Sequence, residues 1–154
     1  MSHSIAKLKH SGGFSLVEVL IALVIMSVGM LGIAGLYVQS MQAGRTSMFR
    51  HNAVILVGDV ADRIRANPTA GGAYAVAGGA DNGCVAQGVN CSQPQMAQHD
   101  VFLWTQQAAD TLPAGNVTVV FDGAVNPPTY NITASWTEAG ENLSYNIIIP
   151  VRNN

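Results

Sequence analysis

Charge is the scarcest commodity in this chain. Only 10% of its 154 residues are Asp, Glu, Lys or Arg, and the net charge is −2. The seven cations, Lys7, Lys9, Arg45, Arg50, Arg63, Arg65 and Arg152, are spread along the sequence and supply no basic face able to neutralise a run of phosphates, so no nucleic-acid partner is expected. With 49% hydrophobic residues the chain is equally far from the polar, highly charged regime of disordered proteins. No Lys-Ser or Lys-Thr follows any glycine run, which excludes a phosphate-binding loop. There is no Gly-x-Ser-x-Gly and no zinc-protease motif, and His3, His10, His51 and His99 are scattered. No enzyme, cofactor or metal is therefore expected. His99 and Asp100, adjacent on a predicted helix, point in different directions and are expected at its surface or N-terminal end.

Proline is absent before Pro68, and the apolar content is concentrated in Phe14 to Val38, 25 residues in all. About 20 residues cross a bilayer core, so this stretch is long enough to span. A cleaved secretory signal is the alternative, with a small-residue site near Ala34, but its apolar region would run only about 7 to 15 residues. Lys7 and Lys9 before the span are matched by Arg45 and Arg50 after it, so counting cations does not decide orientation. Gly29, Gly32 and Gly35 each weaken the helix by about 1 kcal/mol relative to alanine. They suit either close helix packing or a segment that melts locally.

Glu18 stands among Leu16, Val17, Val19 and Leu20, where an ionised carboxylate costs roughly 2.5 kcal/mol or more without a partner. It is either hydrated at headgroup level or paired with a cation from elsewhere. The preceding stretch, Lys7-Leu-Lys-His-Ser-Gly-Gly13, followed by Phe14-Ser-Leu-Val-Glu18, resembles the type IV prepilin and pseudopilin signal. That resemblance implies that a prepilin peptidase removes residues 1–13 by cutting between Gly13 and Phe14, and that Phe14 is N-methylated. It implies further that the apolar segment stays on the mature protein as the spine of a filament. Glu18 would then pair with the new Phe14 ammonium of a neighbouring subunit.

Beyond the span, Phe49, Ala53, Leu56, Val57, Val60, Ala61 and Ile64 fall on one helical face, Asp59 and Arg63 form a favourable pair four apart, and Asn67-Pro68 stops the helix. Such a helix would run about 80 Å at 1.5 Å per residue. Its second half is therefore expected to pack on the head. The expected organisation is a leader at 1–13, the membrane half of the helix at 14–38, its amphipathic half at 39–66 and a globular head at 67–154.

In the head, residues 69–90 read as glycine-rich loop with a short strand at 73–77. Cys84 and Cys91, the only cysteines, are expected to form a disulfide, since a zinc site needs two further ligands nearby. Pro94 to Leu112 reads as a helix with Met96, Leu103, Trp104, Ala108 and Leu112 near one face. Strands are expected at 116–122, 129–137 and 142–152, joined as an antiparallel meander. Inward positions would be Val117, Val119 and Phe121, then Tyr130, Ile132, Ala134 and Trp136, then Leu143, Tyr145, Ile147, Ile149 and Val151. The expected fold class is α+β, and the leader resemblance implies the type IV pilin-like fold, with a long N-terminal helix packed on a small antiparallel sheet and one extra helix.

Asp62-Arg-Ile-Arg-Ala-Asn-Pro68, Cys91 to Asp100, Trp104, Leu112-Pro-Ala-Gly115 and Thr133-Ala-Ser-Trp136 resemble the minor pilins of that family. The resemblance implies an inner-membrane pool with the head in the periplasm, then a place in the pilus fibre. Its partners would be other minor pilins, the major pilin and prepilin peptidase, in a complex that initiates assembly. A type II secretion pseudopilin would carry the same leader, and a membrane-anchored surface-binding module would use the span only as a tether. Arg63 and Arg65, a close pair outside the membrane, are candidates for contact with a neighbouring subunit.

Overall fold

The computed structural model describes residues 12–151; most of the leader, Lys7 and Lys9 included, and Arg152 lie outside the described residues. The element order is one long helix α1 (Leu16–Ala66), a 3₁₀ segment η1 (Pro68–Tyr74), a second helix α2 (Gln93–Thr111), and strands β1 (Asn116–Asp122), β2 (Thr129–Glu138) and β3 (Glu141–Pro150). The chain divides into two compact units, one ending at Ala43 and one beginning at Gly44.

In the first unit every described side chain is exposed. The Val17 amide donates to Ser15 Oγ at 3.3 Å, which occupies one of the free N–H groups that open a helix. Ser27, a polar residue within the apolar run, donates its hydroxyl to the Leu23 carbonyl at 2.6 Å and so leaves no unmet donor on the helix surface. The helix continues unbroken through Gly29, Gly32 and Gly35, and an added Cβ at any of them would meet nothing within 4 Å.

The second unit has one core. The α1 stripe Ala53, Leu56, Val57, Val60, Ala61 and Ile64 is buried with Tyr74, Ala97, Val101, Trp104, Ala108, Tyr130, Ile132, Ala134, Trp136 and Ile149. Helix α1 ends at Ala66, where the residue before a proline disfavours the helical region. The strand expected at 73–77 does not form. Pro68 presets φ for a tight turn, and η1 seats Ala70 and Tyr74 in the core.

Helix α2 is opened by Ser92, whose backbone N–H and hydroxyl both donate to Gln95 Oε1 at 2.9 Å, with Pro94 in the first turn where its missing N–H costs nothing. Its buried face is Ala97, Val101, Trp104 and Ala108; Trp104, Ala108 and the following Leu112 are buried as read from the sequence, while Met96 and Leu103 are only half-buried and Ala97 and Val101 take their places. The sheet is a meander in the order β1-β2-β3, with Asn116 opposite Ser135 and Thr129 opposite Pro150. Ala139 and Gly140, both at positive φ (51° and 85°), make the two-residue turn between β2 and β3, the conformation whose twist matches the strands. Alternation holds on β2, while on β3 Ile149 is buried, Leu143 and Ile147 are half-buried and Tyr145 is exposed. As an edge strand, β3 is covered only in part.

Candidate functional site

The first unit carries Phe14 and Glu18, the residues that the leader resemblance singles out. Phe14 precedes the first helical turn and is 84% exposed, and Glu18 lies within that turn. Among the described residues no cation lies within ion-pair distance of Glu18. The apolar side chains that follow are all exposed, Leu20, Ile21, Leu23, Val24 and Ile25 by more than half. Nothing among the described residues covers them, so this surface suits burial in lipid or against other subunits. The described residues contain one helix long and apolar enough to cross a membrane, and it is this one.

The second unit builds its polar contacts around Arg63. Its Nε lies 3.0 Å from Asp59 Oδ2 and its Nη1 3.0 Å from Asp100 Oδ1. Partial burial works against the guanidinium charge, but Asp59 and Asp100 outweigh it and hold the pKa above the ordinary arginine value. Asp59 Oδ2 also accepts from the Trp104 indole N–H at 3.1 Å. The Tyr74 hydroxyl lies 3.3 Å from Asp100 Oδ2 as donor and accepts from Asn67 Nδ2 at 3.2 Å. Burial, opposed by the Asn67 hydrogen bond and reinforced by the Asp100 charge, pushes the Tyr74 phenol up to about 12. Tyr130 donates to the Gly71 carbonyl, and burial raises its pKa as well. Arg65 pairs with Asp62 at 2.8 Å on the surface. Both arginines singled out in the sequence are thus ion-paired within the chain.

Asp100 and His99 are corrections to the sequence reading. They are only 4% and 2% exposed. The side of α2 that bears Ala97 and Val101, rather than the one that bears Met96 and Leu103, faces the core, and it carries Asp100 into the stripe three residues after Ala97 and four before Trp104, which is where Arg63 reaches it. The signal was present in the sequence: Ala97, Val101, Trp104 and Ala108 is as regular a stripe as the one chosen, and it encloses Asp100. His99 sits with its Nδ1 3.2 Å from Asp81 Oδ1, without hydrogen-bond alignment.

Cys84 and Cys91 are joined by a disulfide. The segment that leads into it rests on α2. Ala80 donates its N–H to the Gln98 carbonyl at 3.0 Å, and Asn82 Nδ2 donates to the Gln95 carbonyl at 2.9 Å. Among the described residues no group of three or more His, Cys, Asp or Glu is placed to hold a metal ion.

A long N-terminal helix whose first part is bare, followed by a three-stranded antiparallel sheet with one further helix, is the type IV pilin fold, that of a structural subunit and not of an enzyme. Two family models match consecutive stretches of the chain: the prokaryotic N-terminal methylation motif over residues 8–34 and the Tt1218-like family, type IV pilin Tt1218, over residues 35–102. No curated protein and no solved structure gives a significant match. The chain is thus similar to type IV pilins and carries an N-terminal methylation motif, and that motif with its apolar helix fits membrane anchoring and a pilus.

Proposed function

We propose that this pilin is a minor pilin, similar to the type IV pilus modification protein PilV, and that it takes part in initiating pilus assembly in a tip complex with other minor pilins. Prepilin peptidase cleaves the Gly13–Phe14 bond on the cytoplasmic side, Phe14 is N-methylated, and the protein waits in the inner membrane with its head in the periplasm. Glu18 then accepts the Phe14 ammonium of a neighbouring subunit as it enters the fibre.

The observation that carries this reading is the isolation of Glu18. A carboxylate in the first turn of an apolar helix, with no cation beside it among the described residues, is costly until another chain supplies one. Cleavage creates such a cation four residues earlier on every subunit. The head sequences Asp62 to Pro68, Cys91 to Asp100 and Leu112 to Gly115 support the minor-pilin assignment by resemblance.

The test is intact mass with N-terminal fragmentation of the protein from membrane and sheared-filament fractions, with and without prepilin peptidase. A chain beginning at Phe14, carrying one methyl and present in filaments, is the expected result. A chain beginning at Met1 or near Gly35 overturns the reading. Normal processing with the protein absent from pili overturns the minor-pilin assignment alone.

A further inference from the structure

Strand β3 is an open sheet edge without the usual protection. Among the described residues it pairs only with β2, while β1, at the other edge, is bordered by η1 and α2. Its ten residues contain no Lys or Arg, its sole proline is the terminal Pro150, and its register with β2 runs unbroken from Glu141 opposite Glu138 to Pro150 opposite Thr129, so no bulge twists it away. Natural sheets guard their edges with these devices because a free row of N–H and C=O groups templates another strand. Here Ile148 is 63% exposed beside that row.

Next to the strand lies a cavity of about 340 Å³ lined by Arg50, Val54, Trp136, Leu143, Ser144 and Tyr145. Its walls are mostly apolar. Arg50 has no ion pair among the described residues, unlike Arg63 and Arg65. A strand laid along an edge gains main-chain hydrogen bonds and sends alternate side chains to one face, where a pocket selects them. A guanidinium at the rim of an apolar pocket selects a carboxylate.

We infer that β3 and this cavity receive an extended segment of another pilin subunit, added as a fourth strand, with an acidic side chain meeting Arg50 and an aliphatic neighbour on the Leu143–Tyr145 wall. The inference rests on the pilin reading. The segment belongs to a different subunit, because β3 pairing with its own copy is a closed two-fold contact, whereas a growing fibre needs contacts between unlike surfaces.

The experiment places a photo-cross-linking amino acid at Asn146, Ile148 or, as a control, the exposed Val120 of β1, in the full-length chain in its own cells, and maps the products by mass spectrometry. The expected products from Asn146 and Ile148 lie in one extended segment of one other pilin, two residues apart along that segment. Ile148→Lys and Arg50→Glu, both at exposed positions, are expected to lose most of the product from Asn146 while membrane levels stay unchanged. Yields at β3 no higher than at Val120, products on a second copy of this chain or on a helix, or undiminished product in both variants overturn the inference. If the protein is missing from sheared filaments yet cross-links as described in membranes, it is the pilus role that fails; if it enters filaments without a β3 product, it is the fourth strand.

Discussion

Arg63 Nη1 lies 3.0 Å from Asp100 Oδ1, which ties the last turn of α1 to the first half of α2 across 37 residues of sequence. The two partners are unequally covered: the Asp100 side chain is 6% exposed and that of Arg63 43%. Removing the buried partner and removing the half-exposed one therefore have different consequences.

Asp100→Ala leaves Arg63 with Asp59 and deprives the Tyr74 hydroxyl of its carboxylate partner. Breaking a buried pair from one side costs about 3 to 5 kcal/mol when both charges are fully buried. With half of the guanidinium in water, a loss of about 2 kcal/mol is expected, read from urea unfolding of the full chain in detergent by tryptophan fluorescence. Arg65→Ala, which breaks an exposed pair, is expected to change stability by no more than about 0.5 kcal/mol.

Tyr74 makes the head sensitive to alkali. Its phenol titrates at about 12 in the folded protein against about 10 in the unfolded chain. A raised folded pKa means that its contribution is fully present below pH 10 and is lost as pH rises from about 10 to about 12. Tyr74→Phe is expected to cost about 1 kcal/mol at neutral pH, the usual worth of a hydrogen bond, and to flatten the decline through that window. Unfolding curves between pH 9 and 12 for both proteins check this.

Gly79 is where the loop ahead of the disulfide touches α2. An alanine Cβ there would lie 2.3 Å from the Gln98 carbonyl oxygen and 2.4 Å from the Phe102 nitrogen, at a φ of +62°. Gly88 also has a positive φ, +81°, but opens onto free space. Gly79→Ala is expected to cost about 3 kcal/mol, from overpacking plus left-handed strain, and Gly88→Ala about 1 kcal/mol, from strain alone. Opening the Cys84–Cys91 loop with Cys84→Ser/Cys91→Ser is expected to cost about 2 kcal/mol.

Glu18→Leu separates anchoring from assembly. None of the described residues of the first unit is buried around Glu18, so folding and membrane level are expected to be unchanged. A charge-assisted hydrogen bond is worth about 1.5 to 3 kcal/mol, so incorporation into sheared filaments is expected to fall roughly tenfold or more. Quantitative immunoblots of both fractions measure it.

Periodicity, with the apolar run of α1 and the stop at Asn67-Pro68, placed α1, α2 and all three strands close to their ends, because an element that buries one face writes its period into the sequence. It failed at η1, where glycine and alanine carry no period, and at Tyr74, whose burial follows from a 3₁₀ turn. On α2 it placed Trp104, Ala108 and Leu112 in the core but chose Met96 and Leu103 over Ala97 and Val101. On a helix with apolar residues at 96, 97, 101, 103 and 104, two faces compete, and the choice between them decides whether Asp100 is solvated or buried.

The leader, the span and the isolated Glu18 belong to the sequence by itself, since each is a local run whose chemistry needs no other part of the chain. So does the existence of a meander, because alternating runs separated by short turns leave little else to build. Only the tertiary structure decided that β3 lies at an open edge, that Arg63 reaches Asp100, and that a cavity forms beside Arg50. Those are distances between residues far apart in the chain, and they follow from how the faces are rotated when they pack, which a one-dimensional pattern does not specify.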